Sequence, residues 1–79
     1  MPARKIIVFT QPDSLPCEAV KMFLKSRKAK FEERCVTYDE DALHELAEKY
    51  NSRSTPTVVI DDEVVVGFDP ERLDQLLES

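Results

Sequence analysis

The sequence predicts an α/β fold in which three helices flank a four-stranded mixed sheet, in the order β-α-β-α-β-β-α. An apolar, β-branched run at Ile6–Phe9 precedes an amphipathic helical pattern, and a second helical pattern follows a strand-like segment. Two short β-branched runs, Thr57–Ile60 and Val64–Val66, then form a hairpin pattern ahead of a last helical stripe. Because a β-α-β unit favours a parallel pair with a right-handed crossover, the hairpin adds two antiparallel strands to that pair.

The size and charge of the chain limit the classes of protein to which it can belong. Its 79 residues are enough for one small domain, residues 1–79, and its net charge of −5 argues against nucleic acid or an anionic membrane as partner. No apolar run approaches the roughly 20 residues of a membrane span, and the N-terminus has no signal-peptide pattern. We therefore expect a cytoplasmic monomer, in which Cys17 and Cys35 form no structural disulfide.

The first helix is predicted from Ser14 to about Arg27. A loop containing Pro12 separates it from the first strand, and Pro16 suits a first turn because the missing N–H had no helical partner. Its apolar positions recur at steps of three and four, so that Cys17 begins a buried stripe. Residue 14 should accordingly be exposed at the tip of the helix, and Cys17 largely covered.

The remaining elements follow from strand, cap and turn patterns. The mixed segment Phe31–Tyr38 is typical of an edge strand, and Asp39 can cap a second helix whose apolar stripe runs to Tyr50. Residues 51–55 form a polar connector, and Asp61–Glu63 is the turn of the hairpin. Asp69 has the chemistry of a cap for the last helix.

The tip of the first helix is the position at which the sequence most clearly indicates reactive chemistry. Unpaired N–H groups and the positive end of the helix dipole favour an anion there, so a cysteine at that point is stabilised as a nucleophilic thiolate. In this sequence Ser14 occupies the position, and Cys17 follows three residues later. The spacing is that of a C-x-x-C redox site whose first sulfur is missing.

Three segments together resemble the glutaredoxin family of the thioredoxin fold. Pro12-x-Ser14-x-x-Cys17 aligns with the family's P-x-C-x-x-C, and Thr55-Pro56 aligns with the segment that carries a cis-proline beside the active site. Residues 66–69, Val-Gly-Phe-Asp, are similar to the tail of small bacterial glutaredoxin-like redoxins. The resemblance covers nearly the whole chain.

The resemblance implies a thiol-disulfide oxidoreductase that reduces protein or small-molecule disulfides. It implies that residue 14 is the nucleophile, that Cys17 resolves the mixed disulfide, and that Thr55 and Pro56 position substrate by offering an extended backbone. Gln11 and Asp69 are candidate substrate contacts. No bound cofactor or metal is expected, and the electron donor would be glutathione or an enzyme of the thioredoxin-reductase type.

The serine at position 14 leaves two explanations open. A hydroxyl has no accessible anion at neutral pH, so this sequence should be inactive or nearly so as an oxidoreductase. In one explanation Ser14 replaces a native cysteine or selenocysteine; in the other it is native, and the chain is a redox-inert module that binds extended peptides or serves assembly alone. An iron–sulfur monothiol form is not favoured, because such proteins keep the first cysteine and lose the second.

The choice of electron donor is likewise open. Glutathione-dependent members usually have a cation where this chain has Gln11, and a second glycine where it has Phe68. Asp69 could bind the α-amino group of a γ-glutamyl moiety, although capping the last helix is its simpler role. His44 and Cys35 are interpreted as a solvated helix residue and an incidental strand thiol, and the acidic segments as caps and turns rather than metal ligands.

Overall fold

The fold is seen in a computed structural model that describes residues 5–78. Three helices and four strands follow one another in the predicted order, β-α-β-α-β-β-α. Their bounds are β1 Ile6–Thr10, α1 Leu15–Ser26, β2 Glu32–Cys35, α2 Glu40–Glu48, β3 Thr57–Ile60, β4 Glu63–Val66 and α3 Pro70–Glu78.

The strands form one mixed sheet in the order β2-β1-β3-β4. β1 is parallel to β2 and antiparallel to β3, and β3 is antiparallel to β4. This arrangement is the four-stranded mixed sheet with three helices that the sequence predicts, and the fold-class prediction is confirmed. The central pair, β1 and β3, is buried along its length, whereas β2 and β4 are the edge strands.

Three element boundaries differ from the prediction. β2 is shorter than the predicted Phe31–Tyr38, because its pairing with β1 ends where Thr10 meets Cys35. α2 ends at Glu48, and the chain then turns through Asn51, which has a left-handed φ of 53°. The hairpin turn is two residues rather than three, since Ile60 pairs directly with Glu63.

The two faces of the sheet carry separate cores, as the alternation of side chains along a strand requires. Ile6 and Val8 pack on α1 and α3, in a cluster that includes Leu24 and Leu73. Ile7 and Phe9 face α2 and pack with residues such as Leu46. Thr10, two residues beyond Val8, therefore lies on the face of the sheet that α1 covers.

The ends of α1 are fixed by local hydrogen bonds. Ser14 is the N-cap and accepts a hydrogen bond from the N–H of Cys17, while Pro16 lies in the first turn. At the other end the N–H of Arg27 donates to the carbonyl of Phe23 at 3.2 Å, and the Arg27 guanidinium donates twice to Asp74 of α3. The Arg27–Asp74 ion pair thereby joins the end of α1 to α3.

Among residues 5–78, no helix is both long and apolar enough to cross a membrane.

Candidate functional site

The β1–α1 loop brings residue 14 to one end of the sheet. Residues 11–13 are exposed, and Asp13 has a left-handed φ of 58° immediately before the N-cap. Ser14 is half-buried, because its Oγ turns toward the first turn of α1 and accepts the N–H of Cys17 at 3.3 Å. The predicted exposure of residue 14 is therefore only partly right: the capping bond draws the side chain against the helix.

Cys17 lies one turn farther along α1 and is covered. Only 1% of its surface is exposed, in agreement with its predicted place at the start of the buried stripe. It is a free thiol. A thiol so placed cannot meet a large substrate directly, but it lies next along the helix from residue 14, which is the arrangement a resolving thiol requires.

The segment before β3 contains the cis-proline that the resemblance implies. The Thr55–Pro56 peptide bond is cis, Pro56 is buried and Thr55 is half-buried. Hydrogen bonds of two side-chain hydroxyl groups stabilise this segment. Ser52 Oγ and Thr57 Oγ1 lie 2.9 Å apart, and Thr57 Oγ1 donates to the carbonyl of Ser54 at 2.6 Å. The sequence analysis treated residues 51–55 as a plain connector and missed this network.

The tail that follows β4 is tied to the same segment. The N–H of Gly67 donates to the carbonyl of Pro56 at 2.8 Å, and Gly67 has a left-handed φ of 80°. Phe68 then turns to pack edge-on against Phe23 of α1, with ring centroids 6.0 Å apart. The tail is thus joined to the cis-proline segment through Gly67 and to α1 through Phe68.

Asp69 caps α3. Its carboxylate accepts the N–H of Arg72 at 3.1 Å, and its carbonyl accepts the N–H of Leu73 at 3.0 Å. The side chain is exposed. The capping role is therefore established.

Replacing Asp69 with alanine is expected to destabilise the protein by about 1 kcal/mol, because the N–H of Arg72 loses its acceptor. Asp69→Asn keeps a good N-cap and should leave the free energy of unfolding nearly unchanged. Urea denaturation of the two variants measures the difference. Equal losses of stability in both would mean that the charge, not the capping bond, stabilises α3.

A cavity of about 220 Å³ opens beside residue 14, on the α1 face of the sheet. Its walls come from the β1–α1 loop, from α1 and from the end of β2. They are formed by Thr10, Gln11, Pro12, Asp13, Ser14, Glu18, Lys21, Glu33, Cys35 and Tyr38. Gln11 and residue 14, two of the predicted site residues, therefore share one cavity. Cys35, which the sequence analysis set aside, borders it too.

Charged groups line this cavity in a connected chain. Lys21 Nζ lies 2.7 Å from Glu18 Oε2 and 3.1 Å from Glu33 Oε2, and Thr10 Oγ1 donates to the same Glu33 oxygen at 3.0 Å. Burial by itself would raise the pKa of Glu33, but hydrogen bonds from Lys21 and Thr10 outweigh it and hold that pKa below its ordinary value. The hydrogen bonds to Glu18 and Glu33 raise the pKa of Lys21.

This chain of charges was not foreseen from the sequence. The sequence analysis gave Lys21 no role in the site and placed Glu33 only on an edge strand. The parallel register supplies the missing information, since it sets Glu33 opposite Val8 and hence on the α1 face. A contact between residues 12 positions apart depends on that register, which periodicity alone does not give.

Comparison with known proteins decides the family. The profile of the glutaredoxin family matches residues 6–65, which run from the start of β1 into β4. The chain belongs to the glutaredoxin family. The match contains the Ser14–Cys17 segment and the cis-proline, so the family assignment rests on the part of the fold that carries the site.

Relatives and solved structures agree with this family membership. The gene 56 protein of Mycobacterium phage L5 is 32% identical over 74 residues, covering 92% of this chain and 72% of that protein. The thioredoxin-like protein BC3987 has a TM-score of 0.89 at 54% identity, over 91% of this chain and 99% of that one. The glutaredoxin-like NrdH-redoxin from Escherichia coli has a TM-score of 0.81 at 28% identity, covering 91% and 93% of the two chains.

The interpretation of His44 as a solvated helix residue of this glutaredoxin-family chain agrees with its position. His44 is on the exposed face of α2, with its side chain 73% exposed and Nδ1 4.0 Å from Glu48. Within residues 5–78, no group of three or more acidic, histidine or cysteine side chains is arranged to hold a metal ion. Of the predicted site residues, Gln11 and Ser14 border the cavity of about 220 Å³, whereas Cys17, Thr55, Pro56 and Asp69 are not among the residues that line it.

Proposed function

We propose that the protein is a thiol-disulfide oxidoreductase in the form that carries sulfur or selenium at position 14, and that the serine sequence is inactive or nearly so. The supporting observation is the position of residue 14. It is the N-cap of α1, one turn from the covered thiol of Cys17 and beside an open cavity. Helix N–H groups and the helix dipole stabilise an anion at that place.

The proposed reaction transfers two electrons from the protein to a substrate disulfide. A thiolate at position 14 attacks one substrate sulfur, breaks the S–S bond and releases the first substrate thiolate. The thiolate of Cys17 then attacks the sulfur of residue 14 and releases the second. The protein is left with an internal disulfide between positions 14 and 17, and an external dithiol or two thiols reduce it again.

The substrate would be held by the cis-proline segment. Thr55 is half-buried and lies two residues before β3, and its main chain is proposed to pair with an extended peptide as an added strand. Gln11, exposed on the loop before residue 14, and Asp69, exposed at the start of α3, are the proposed flanking contacts. The substrate class is protein or small-molecule disulfides.

Two sources of electrons are consistent with the chain's relatives. The NrdH-redoxin neighbour is described as glutaredoxin-like with a thioredoxin-like activity profile. Gln11 in place of a cation, and the bulk of Phe68 beside the tail, favour the same behaviour here, with a thioredoxin-reductase-type enzyme as donor. Glutathione is the alternative donor and partner. No bound cofactor is proposed, and we place the activity in a cytoplasmic monomer.

A redox-inert binding module is the second candidate, and one observation favours it. The Ser14 hydroxyl accepts the N–H of Cys17 and so forms a normal serine N-cap. Serine at this position is therefore structurally sound as a native residue. A chain of this kind would bind an extended peptide along Thr55 without exchanging disulfides.

Disulfide reduction by the Ser14→Cys variant, compared with the unchanged protein, tests the proposal. A large gain supports the oxidoreductase, and no gain overturns it. Supplying either glutathione with its reductase or a thioredoxin-reductase-type enzyme to the variant identifies the donor. Retention of a peptide partner by the serine protein under reducing conditions, without any gain in the variant, would favour the binding module.

A further inference from the structure

The cavity beside residue 14 contains more carboxylates than cations. Asp13 comes from the loop, Glu18 and Lys21 from α1, and Glu33 from β2, while Cys35 and Tyr38 are its other titratable groups. The ammonium of Lys21 is the cation that lines the cavity, and it contacts both Glu18 and Glu33. Lys25 lies farther along α1 and acts on Glu33 through space.

The excess of negative charge in the cavity acts on an anion formed at residue 14. A carboxylate that borders the same cavity repels a thiolate, whereas an ammonium attracts it, and a cavity partly closed from water screens such effects less than open solvent does. Lys21 lies between two of the three carboxylates, so its charge offsets much of the repulsion. Thr10, which is 2% exposed, holds Glu33 in place from the end of β1.

We propose that the Lys21–Glu33 ion pair is a positioning element that sets the electrostatic potential at residue 14, and thereby how readily a thiolate forms there. The proposal rests on the proposed function, because it assigns a means of tuning the same nucleophile. Both residues act through the cavity and not by contact with substrate. The pair joins α1 to the edge strand, so the tuning depends on the parallel register of β1 and β2.

The test is the thiol pKa of residue 14 in the Ser14→Cys variant, taken from the pH dependence of its alkylation by iodoacetamide. Peptide mass spectrometry separates its modification from that of Cys17 and Cys35. Adding Lys21→Gln leaves the carboxylates unopposed and should raise this pKa by about 0.5 unit, roughly threefold in the proton dissociation constant. Adding Glu33→Gln removes a repelling charge and should lower the pKa by a similar amount.

Matched controls come from neighbouring residues. Glu32→Gln removes a carboxylate next to Glu33, but Glu32 pairs with Ile7 and so lies on the α2 face of the sheet. Lys28→Gln removes an exposed cation beyond the end of α1. Neither control should move the pKa measurably. High salt should reduce the shifts caused by Lys21→Gln and Glu33→Gln, which a change of structure would not do.

Opposite shifts at Lys21 and Glu33, with a double variant that returns close to the starting pKa, support the proposal. Shifts in the same direction, no shifts, or equal shifts in the controls overturn it. The alkylation assay needs neither a disulfide substrate nor an electron donor. The pKa shifts can therefore be interpreted even if the variant does not reduce disulfides. Absence of the shifts, in turn, would not count against the oxidoreductase activity.

Discussion

Replacing Ser14 with cysteine is expected to raise the rate of disulfide reduction on the order of 100-fold or more over the serine protein, which has no ionisable nucleophile at that position. The proposed mechanism otherwise uses groups that the chain already has. Residue 14 caps α1, and the Cys17 thiol follows one turn later. The measurement is turnover of a protein disulfide and of a small-molecule disulfide, each with excess donor.

The control for this prediction is Cys17. In the Ser14→Cys/Cys17→Ser double variant the first attack can occur, but the mixed disulfide has no internal thiol to resolve it. Before any donor is added, a substrate adduct on residue 14 should then accumulate and be visible by intact-mass spectrometry. Equal release of substrate from the adduct with and without Cys17, in the absence of donor, would contradict the resolving role. Activity in the unchanged Ser14 protein would contradict the whole scheme.

The fold was predictable because its determinants are local and strong. The β-branched runs at Ile6–Phe9 and Thr57–Ile60 are continuous, and both become strands of the buried central pair. The cap residues Ser14, Asp39 and Asp69 all accept hydrogen bonds from the first turns of their helices, as their residue types indicate. Each of these features depends on only a few residues that are neighbours in the sequence.

What the sequence did not show depends on register and on hydrogen bonds between segments. Glu33 joins the site because a parallel pairing places it opposite Val8, and a shift by one residue would turn it to the other face. The hydrogen bond between the hydroxyl groups of Ser52 and Thr57 forms only when the connector folds back on itself. The partial burial of Ser14 likewise follows from where its hydroxyl points, and that direction is not contained in helical periodicity.

The largest expected change in stability comes from Leu24 on α1. Its side chain is fully buried in the cluster on the α1 and α3 face, together with Val8, Val20 and Leu73. Leu24→Ala removes that packing and leaves a cavity, so we expect a loss of about 2–5 kcal/mol. For a domain of this size each 1 kcal/mol lowers Tm by roughly 4–8 °C, so the melting temperature should fall by at least about 8 °C.

Met22→Ala is the matched control, because Met22 lies on the same helix but is 71% exposed. It should change the free energy of unfolding by about 0.5 kcal/mol or less. Thermal and urea unfolding of both variants give the comparison. The result also bears on the site, since residue 14 is positioned by the helix that Leu24 anchors to the sheet. If the two variants lost equal stability, α1 would not be held through this face, and the position of its N-cap would need another explanation.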